Sequence, residues 1–120
     1  MHISSPRLHI KPKQHMTVRI KENSLLAKLA AYNLKAEKMA LVIGDTIRLH
    51  NTTKQEFLSN PKWVRHEIAH VHQYKQKGKV RFILSYLLET FNLGYEYNRY
   101  ELEAIKKERD HLLLEGVEFI

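Results

Sequence analysis

The 120-residue chain has no cysteine, only three prolines, four glycines and one tryptophan, and fewer acidic residues than basic ones, 13 against 20. Without cysteine there is no disulfide, no thiolate metal ligand and no thiol nucleophile, so the eight histidines dominate any soft-metal chemistry. The shortage of acid leaves a formal net charge of +7, a surface that attracts nucleic acid, anionic membrane or acidic protein when it is not merely solvated. No long hydrophobic run is present either. The most apolar stretch, residues 80–93 (VRFILSYLLETFNL), is broken by Arg81 and Glu89 and falls short of the roughly 20 residues that span a bilayer, so it reads as a core helix and not as a membrane span. Residues 1–14 contain no apolar stretch of signal-peptide length, which makes a cytoplasmic location the expectation. The length suits one domain with one core and no separate substrate-binding lobe.

What is present is patterned. Residues 1–14, with Pro6 and Pro12 among basic residues and with His2 and His9, show no period and predict an extended or frayed basic arm. Residues 15–21 (HMTVRIK) alternate, placing Met16, Val18 and Ile20 on one side, as in a half-buried strand. Ser24 is a helix cap, and Leu25, Leu26, Leu29 and Ala30 follow at helical spacing, predicting an amphipathic helix to about Asn33. MALVI and TIRLH around Gly44-Asp45 predict a hairpin. Thr53 and Glu56 fit a capping box ahead of a short helical turn, and Asn60 caps a longer helix with Pro61 at its first position. Gly78, Gly94 and Gly116 then close three successive helices over residues 61–77, 79–92 and 98–114. The order implies an α+β fold: a small antiparallel or mixed sheet packed on an active-site helix and two further C-terminal helices, in a single domain over residues 15–120.

Inside the helix over residues 61–77 lies the run His66-Glu67-Ile68-Ala69-His70. Residues four apart share a helix face, so both imidazoles are presented to one ion while Glu67 stands beside it. With His66 at zero on the helical wheel, His70 falls near 40°, whereas Val64, Ile68 and Val71 fall between about 140° and 200°. The aliphatic side is therefore free to enter the core and the histidine side to face a cleft. This is the HExxH pattern, in which two histidines hold zinc and the glutamate handles the proton of a zinc-bound water. Random order of this composition would produce it about 0.05 times. A catalytic zinc takes a third protein ligand, and the downstream candidates are Glu89, Glu96, Glu101, Glu103 and His111.

HEIAHVHQY followed some thirty residues later by NRYELEA resembles the glutamate-type zincins, the gluzincin metallopeptidases, and looks closest to short bacterial HExxH domains of that kind. The resemblance implies a minimal zincin-like fold, Zn2+ as the cofactor, and a third ligand three residues before a small residue, which on Glu101-Leu102-Glu103-Ala104 selects Glu101 and keeps Glu103 in reserve. Glu101 also fits a competing role, since Asn98 with glutamate three positions on is a capping box. Where relatives carry aspartate after the small residue to hold a ligand histidine, this chain has Ile105, so Glu103 or a backbone carbonyl would take that part. The activity implied is hydrolysis of a peptide or protein substrate with Glu67 as general base, Tyr74, Tyr95, Tyr97 or Tyr100 being available to stabilise the oxyanion. The alternative is a catalytically inactive zinc-binding or protein-interaction module of the same fold. Clusters such as Lys11, Lys13, Arg19 and Lys21, or Lys75, Lys77, Lys79 and Arg81, come with no nucleic-acid-binding motif, so no specific nucleic-acid partner is expected. Nothing in the sequence sets the oligomeric state.

Overall fold

The computed structural model describes residues 15–120; the arm expected over residues 1–14 lies outside the described residues. β1 (Met16–Lys21) carries the alternation forward, burying Met16 and Val18 and exposing Thr17 and Arg19. It runs parallel to β3 (Thr46–His50) on one side and to β4 (Val117–Phe119) on the other. β2 (Met39–Ile43) pairs antiparallel with β3 in the register Ile43 with Thr46 through Met39 with His50. Gly44 supplies the left-handed turn residue at φ 65°. The strand order β2-β3-β1-β4 gives a mixed sheet, and the α+β expectation holds. β2 ends that order, with a strand partner on one side only among the described residues.

Five α-helices complete the described chain: α1 (Leu25–Leu34), α2 (Lys54–Leu58), α3 (Pro61–Lys77), α4 (Lys79–Leu93) and α5 (Arg99–Lys107). Their starts follow the caps read from the sequence. The Ser24 side chain accepts from Ala27 N, and at Thr53 both arms of the capping box form, with Glu56 N bonded to Thr53 Oγ1 and Thr53 N to Glu56 Oε1. The Asn60 side chain accepts from Trp63 N. The core lies between the sheet and α3: Val18, Ile47 and Leu49 join Phe57, Val64, Ile68 and Val71 in one buried cluster. The ring of Phe57 meets Trp63 edge-on at 5.1 Å between centroids. None of the helices is long and apolar enough to cross a membrane.

Three expectations need correction. The last helix, expected to reach residue 114, stops at Lys107. Beyond it Asp110 accepts from Leu112 N through its own side chain, a local turn that competes with helix continuation, and the chain then returns to pair Val117–Phe119 with β1. That strand is too short to show a period. Residues 79–93 are helical but are not a core helix: of the whole segment Phe82 alone is buried, with Ile83 and Tyr86 half-buried, while Phe91 is 87% exposed. The apolar residues outnumber what one packing face accommodates. α1 likewise buries Ala27 and Ala31, and leaves Leu25, Leu26 and Leu29 exposed.

Asn98 fixes the entry to α5. Fully buried, it accepts from Tyr100 N at 2.8 Å through Oδ1 and donates through Nδ2 to Tyr86 O and Thr90 Oγ1. One side chain thus caps α5 and ties it to α4. Asn98→Ala removes the cap and strands these partners, and is expected to lower unfolding stability by about 2 kcal/mol in denaturant titrations.

Candidate metal centre

Helix α3 delivers His66, Glu67 and His70 from consecutive turns, its opposite side anchored by the fully buried Ile68 and Val71. The third member comes from the first turn of α5. Asn98 caps that turn, but Glu101 does not reciprocate: Asn98 N bonds to Tyr95 O, and the Glu101 carboxylate turns to the histidines. Its Oε1 lies 3.0 Å from His66 Nε2 and 3.2 Å from His70 Nε2, and one ligand atom from each residue lies within 4.8 Å of the others. Zinc–ligand bonds of 2.0–2.1 Å in a tetrahedron separate neighbouring donor atoms by roughly 3.3 Å. Two imidazoles and a carboxylate at this spacing fit a His-His-Glu zinc site. Among the described residues this is the one cluster of its kind.

Around these atoms is an outer tier of contacts. His66 Nδ1 bonds to Glu108 Oε2 at 2.7 Å, and the backbone carbonyl of Glu108 accepts from Arg65 Nε at 2.6 Å. His70 Nδ1 bonds to Gln73 Oε1 at 2.8 Å; Gln73 Nε2 in turn donates to Glu103 Oε1 at 2.7 Å and to Tyr100 O at 3.1 Å. Both Nδ1 atoms thus face acceptors and carry hydrogen, which directs both Nε2 atoms toward Glu101. Glu103, held in reserve as a ligand, therefore serves this tier by orienting Gln73. Glu89 pairs with Arg99, and His111 is exposed. Glu108 and Gln73 were not singled out in the sequence. Gln73 sits three positions after His70, a helical spacing that points to it, whereas Glu108 lies beyond a helix end that reads as continuous. Glu108→Gln keeps shape and removes charge at His66 Nδ1; zinc affinity is expected to fall about 10- to 100-fold in competition with a chelating dye.

The electrostatics are those of four ionisable groups, three of them buried and His66 half-buried. Burial raises the Glu67 carboxyl, the positive histidines only partly offsetting this, and its pKa stands at about 7. Burial opposes charge on His66, but the hydrogen bond to Glu101 and the charge of Glu67 outweigh it and lift the pKa to about 9. His70 is raised by the same balance. On Glu101 burial is outweighed by its bonds to His66 and His70, and the carboxyl is held well below its usual range.

The tyrosines separate clearly. Tyr74 is buried, its hydroxyl donating to Val42 O at 3.0 Å, with burial raising its pKa to about 12. Tyr97 is exposed, and Tyr100 packs its ring on Phe82 in the core. Tyr95 lines the cleft, where burial and the charges of Glu101 and Glu67 raise its pKa. Tyr86, absent from the sequence reading, also lines it and donates its hydroxyl to Glu101 Oε2. The cleft measures about 370 Å³, with His66, Glu67, His70 and Glu101 in its wall beside strand β2, and Ile83 and Leu87 of α4 also lining it.

Compared with family models, curated proteins and solved structures, the chain matches none of them.

Proposed function

We propose that the protein is a zinc-dependent peptidase of the gluzincin kind, with His66, His70 and Glu101 as metal ligands and Glu67 as general base. The observation that carries this reading is the convergence of Glu101 on both Nε2 atoms, with the Glu67 carboxylate lining the same cleft. When bound, zinc supplies a Lewis acid for the scissile carbonyl and lowers the pKa of the attacking water. Glu67 takes the proton from that water and passes it to the leaving amine, a role suited to a carboxyl that titrates near neutrality. Tyr95, in the cleft wall with its hydroxyl in reach of Glu101, is our candidate donor to the oxyanion. Glu101 is kept ionised by the two imidazoles and oriented by Tyr86.

Substrate recognition follows from the sheet. β2, the end strand of the sheet beside β3 among the described residues, runs along the cleft through Met39, Ala40, Leu41, Val42 and Ile43. An extended peptide laid on that edge gains backbone hydrogen bonds with little demand on sequence. The apolar remainder of the wall favours hydrophobic side chains. Mass-spectrometric mapping of a denatured-protein peptide library, digested by zinc-loaded protein and by the same protein with a chelator, tests the reading. Cleavages confined to the zinc-loaded sample and biased to apolar residues support it; equal background in both overturns it.

A further inference from the structure

Two helices turn their bulky apolar sides outward. On α4, Val80, Leu84, Leu87, Leu88 and Phe91 fall within about 100° of the helical wheel, and each is more than half exposed. On α1 the arrangement is inverted from that of an ordinary packed helix: alanines 27 and 31 are buried while Leu25, Leu29 and Tyr32 are exposed, Tyr32 by 82%. Both helices wall the same cleft, α1 through Ala30 and Leu34 and α4 through Ile83 and Leu87. Leu87 belongs both to the cleft wall and to the exposed stripe, so apolar surface continues from the cleft onto the outside of α4.

The charge on and beside these stripes is mainly positive, with Glu22, Glu37 and Glu96 beyond the helix ends. Lys28 lies on α1 and Lys35 at its C-terminal end, and Lys79 and Arg81 open α4 after Lys75 and Lys77 in the last turn of α3. Within α1 and α4 the sole acid is Glu89, and it is tied to Arg99 at 3.5 Å. From this we infer that α1 and α4 form a docking surface for an anionic lipid bilayer, lying on the membrane without crossing it. A helix with an apolar stripe flanked by lysine and arginine seats the stripe at the acyl boundary and its cations among the phosphates. A second copy of the chain is the poorer occupant, since face-to-face contact brings the same cations together on a protein of net charge +7. Neither stripe includes a metal-site residue, so docking stands apart from the proposed peptidase activity.

The test is co-sedimentation of the full zinc-loaded chain with phosphatidylcholine vesicles, with and without phosphatidylglycerol. The parent is expected to pellet with the anionic vesicles, less at high salt and little with the neutral ones. Leu88→Glu with Phe91→Glu, and independently Leu25→Glu with Leu29→Glu, are expected to weaken that binding at least about tenfold, with zinc content and circular dichroism unchanged. These side chains are exposed, so the substitutions do not touch the core. No binding by the parent, or equal binding by folded variants, overturns the inference. So does a dimer in light scattering that either variant pair splits while vesicles bind neither form.

Discussion

Glu67→Gln protein is expected to keep one zinc per chain and to lose peptide cleavage by about 10²- to 10⁴-fold in kcat, the range that one positioned general base supplies. The amide keeps the size of the side chain on α3 and leaves His66, His70 and Glu101 in place. It has no basic site for the proton of the attacking water, so the loss falls on turnover and not on metal. The same substitution carries a second, opposite effect. The folded-state pKa of Glu67 is raised from 4.5 to about 7, so the native state is favoured when this carboxyl is protonated and penalised as pH rises through that window. Gln has no such penalty. At pH 8 the metal-free variant is therefore expected to melt higher than the metal-free parent, and at pH 5 the gap should close. A variant with less activity and more stability is the signature of a group held for chemistry; a drop in both measures at pH 8 would speak for a packing role instead. Equal cleavage by parent and variant would remove Glu67 from the mechanism.

How far this arrangement was legible in the sequence depends on whether a feature is local. The caps at Ser24, Thr53 and Asn60, the Gly44 turn and the α3 face of Val64, Ile68 and Val71 all act within a few residues, and periodicity and side-chain chemistry expose them. Glu108, Tyr86 and β4 do not act locally. Glu108 reaches His66 across 42 positions, and nothing in its own neighbourhood distinguishes it from the other glutamates of a basic, amphipathic segment. β4 exists because β1 offers it an edge, not because three residues prefer to be a strand. The outward faces of α1 and α4 misled for a related reason: apolar residues at helical spacing report an apolar face, and the sequence does not say whether protein covers it. Glu101 was the harder case, since cap and ligand share one spacing. The two readings separate only in three dimensions, where Asn98 caps the helix alone and the carboxylate turns to the imidazoles.

Glu101→Ala is expected to have the largest effect on the metal and on the metal-free fold alike. Loss of a direct ligand should lower zinc affinity by more than the 10- to 100-fold that an outer contact commands, whereas Glu103→Ala, which removes only an acceptor of Gln73 Nε2, should stay within that range. In the metal-free protein Glu101 is the shared partner of both histidines, and removing one member of a buried charged set costs about 3 kcal/mol near neutral pH. The pH dependence gives each contribution its sign. His66 is raised from 6.5 to about 9, so its share of stability is complete below pH 6.5 and is lost as pH rises through 9. Glu101 is depressed below 4.5, so its share is complete above that value and is lost as pH falls through its lowered folded-state pKa. The metal-free parent should therefore be most stable between about pH 4.5 and 6.5, where the Glu101 share is already present and the His66 share is not yet being lost, and Glu101→Ala should flatten that optimum on both sides. Zinc reverses the alkaline side, because it binds the deprotonated imidazoles and must displace up to two protons from His66 and His70. Its affinity should climb by up to about two decades per pH unit as pH rises toward 9. In Glu101→Ala protein the histidines lose the partner that holds their protons, so the climb should end at lower pH. Calorimetric zinc titrations in two buffers of different protonation enthalpy count those protons directly, and an equal count for parent and variant at pH 7 would show that Glu101 does not govern the charge of the pair.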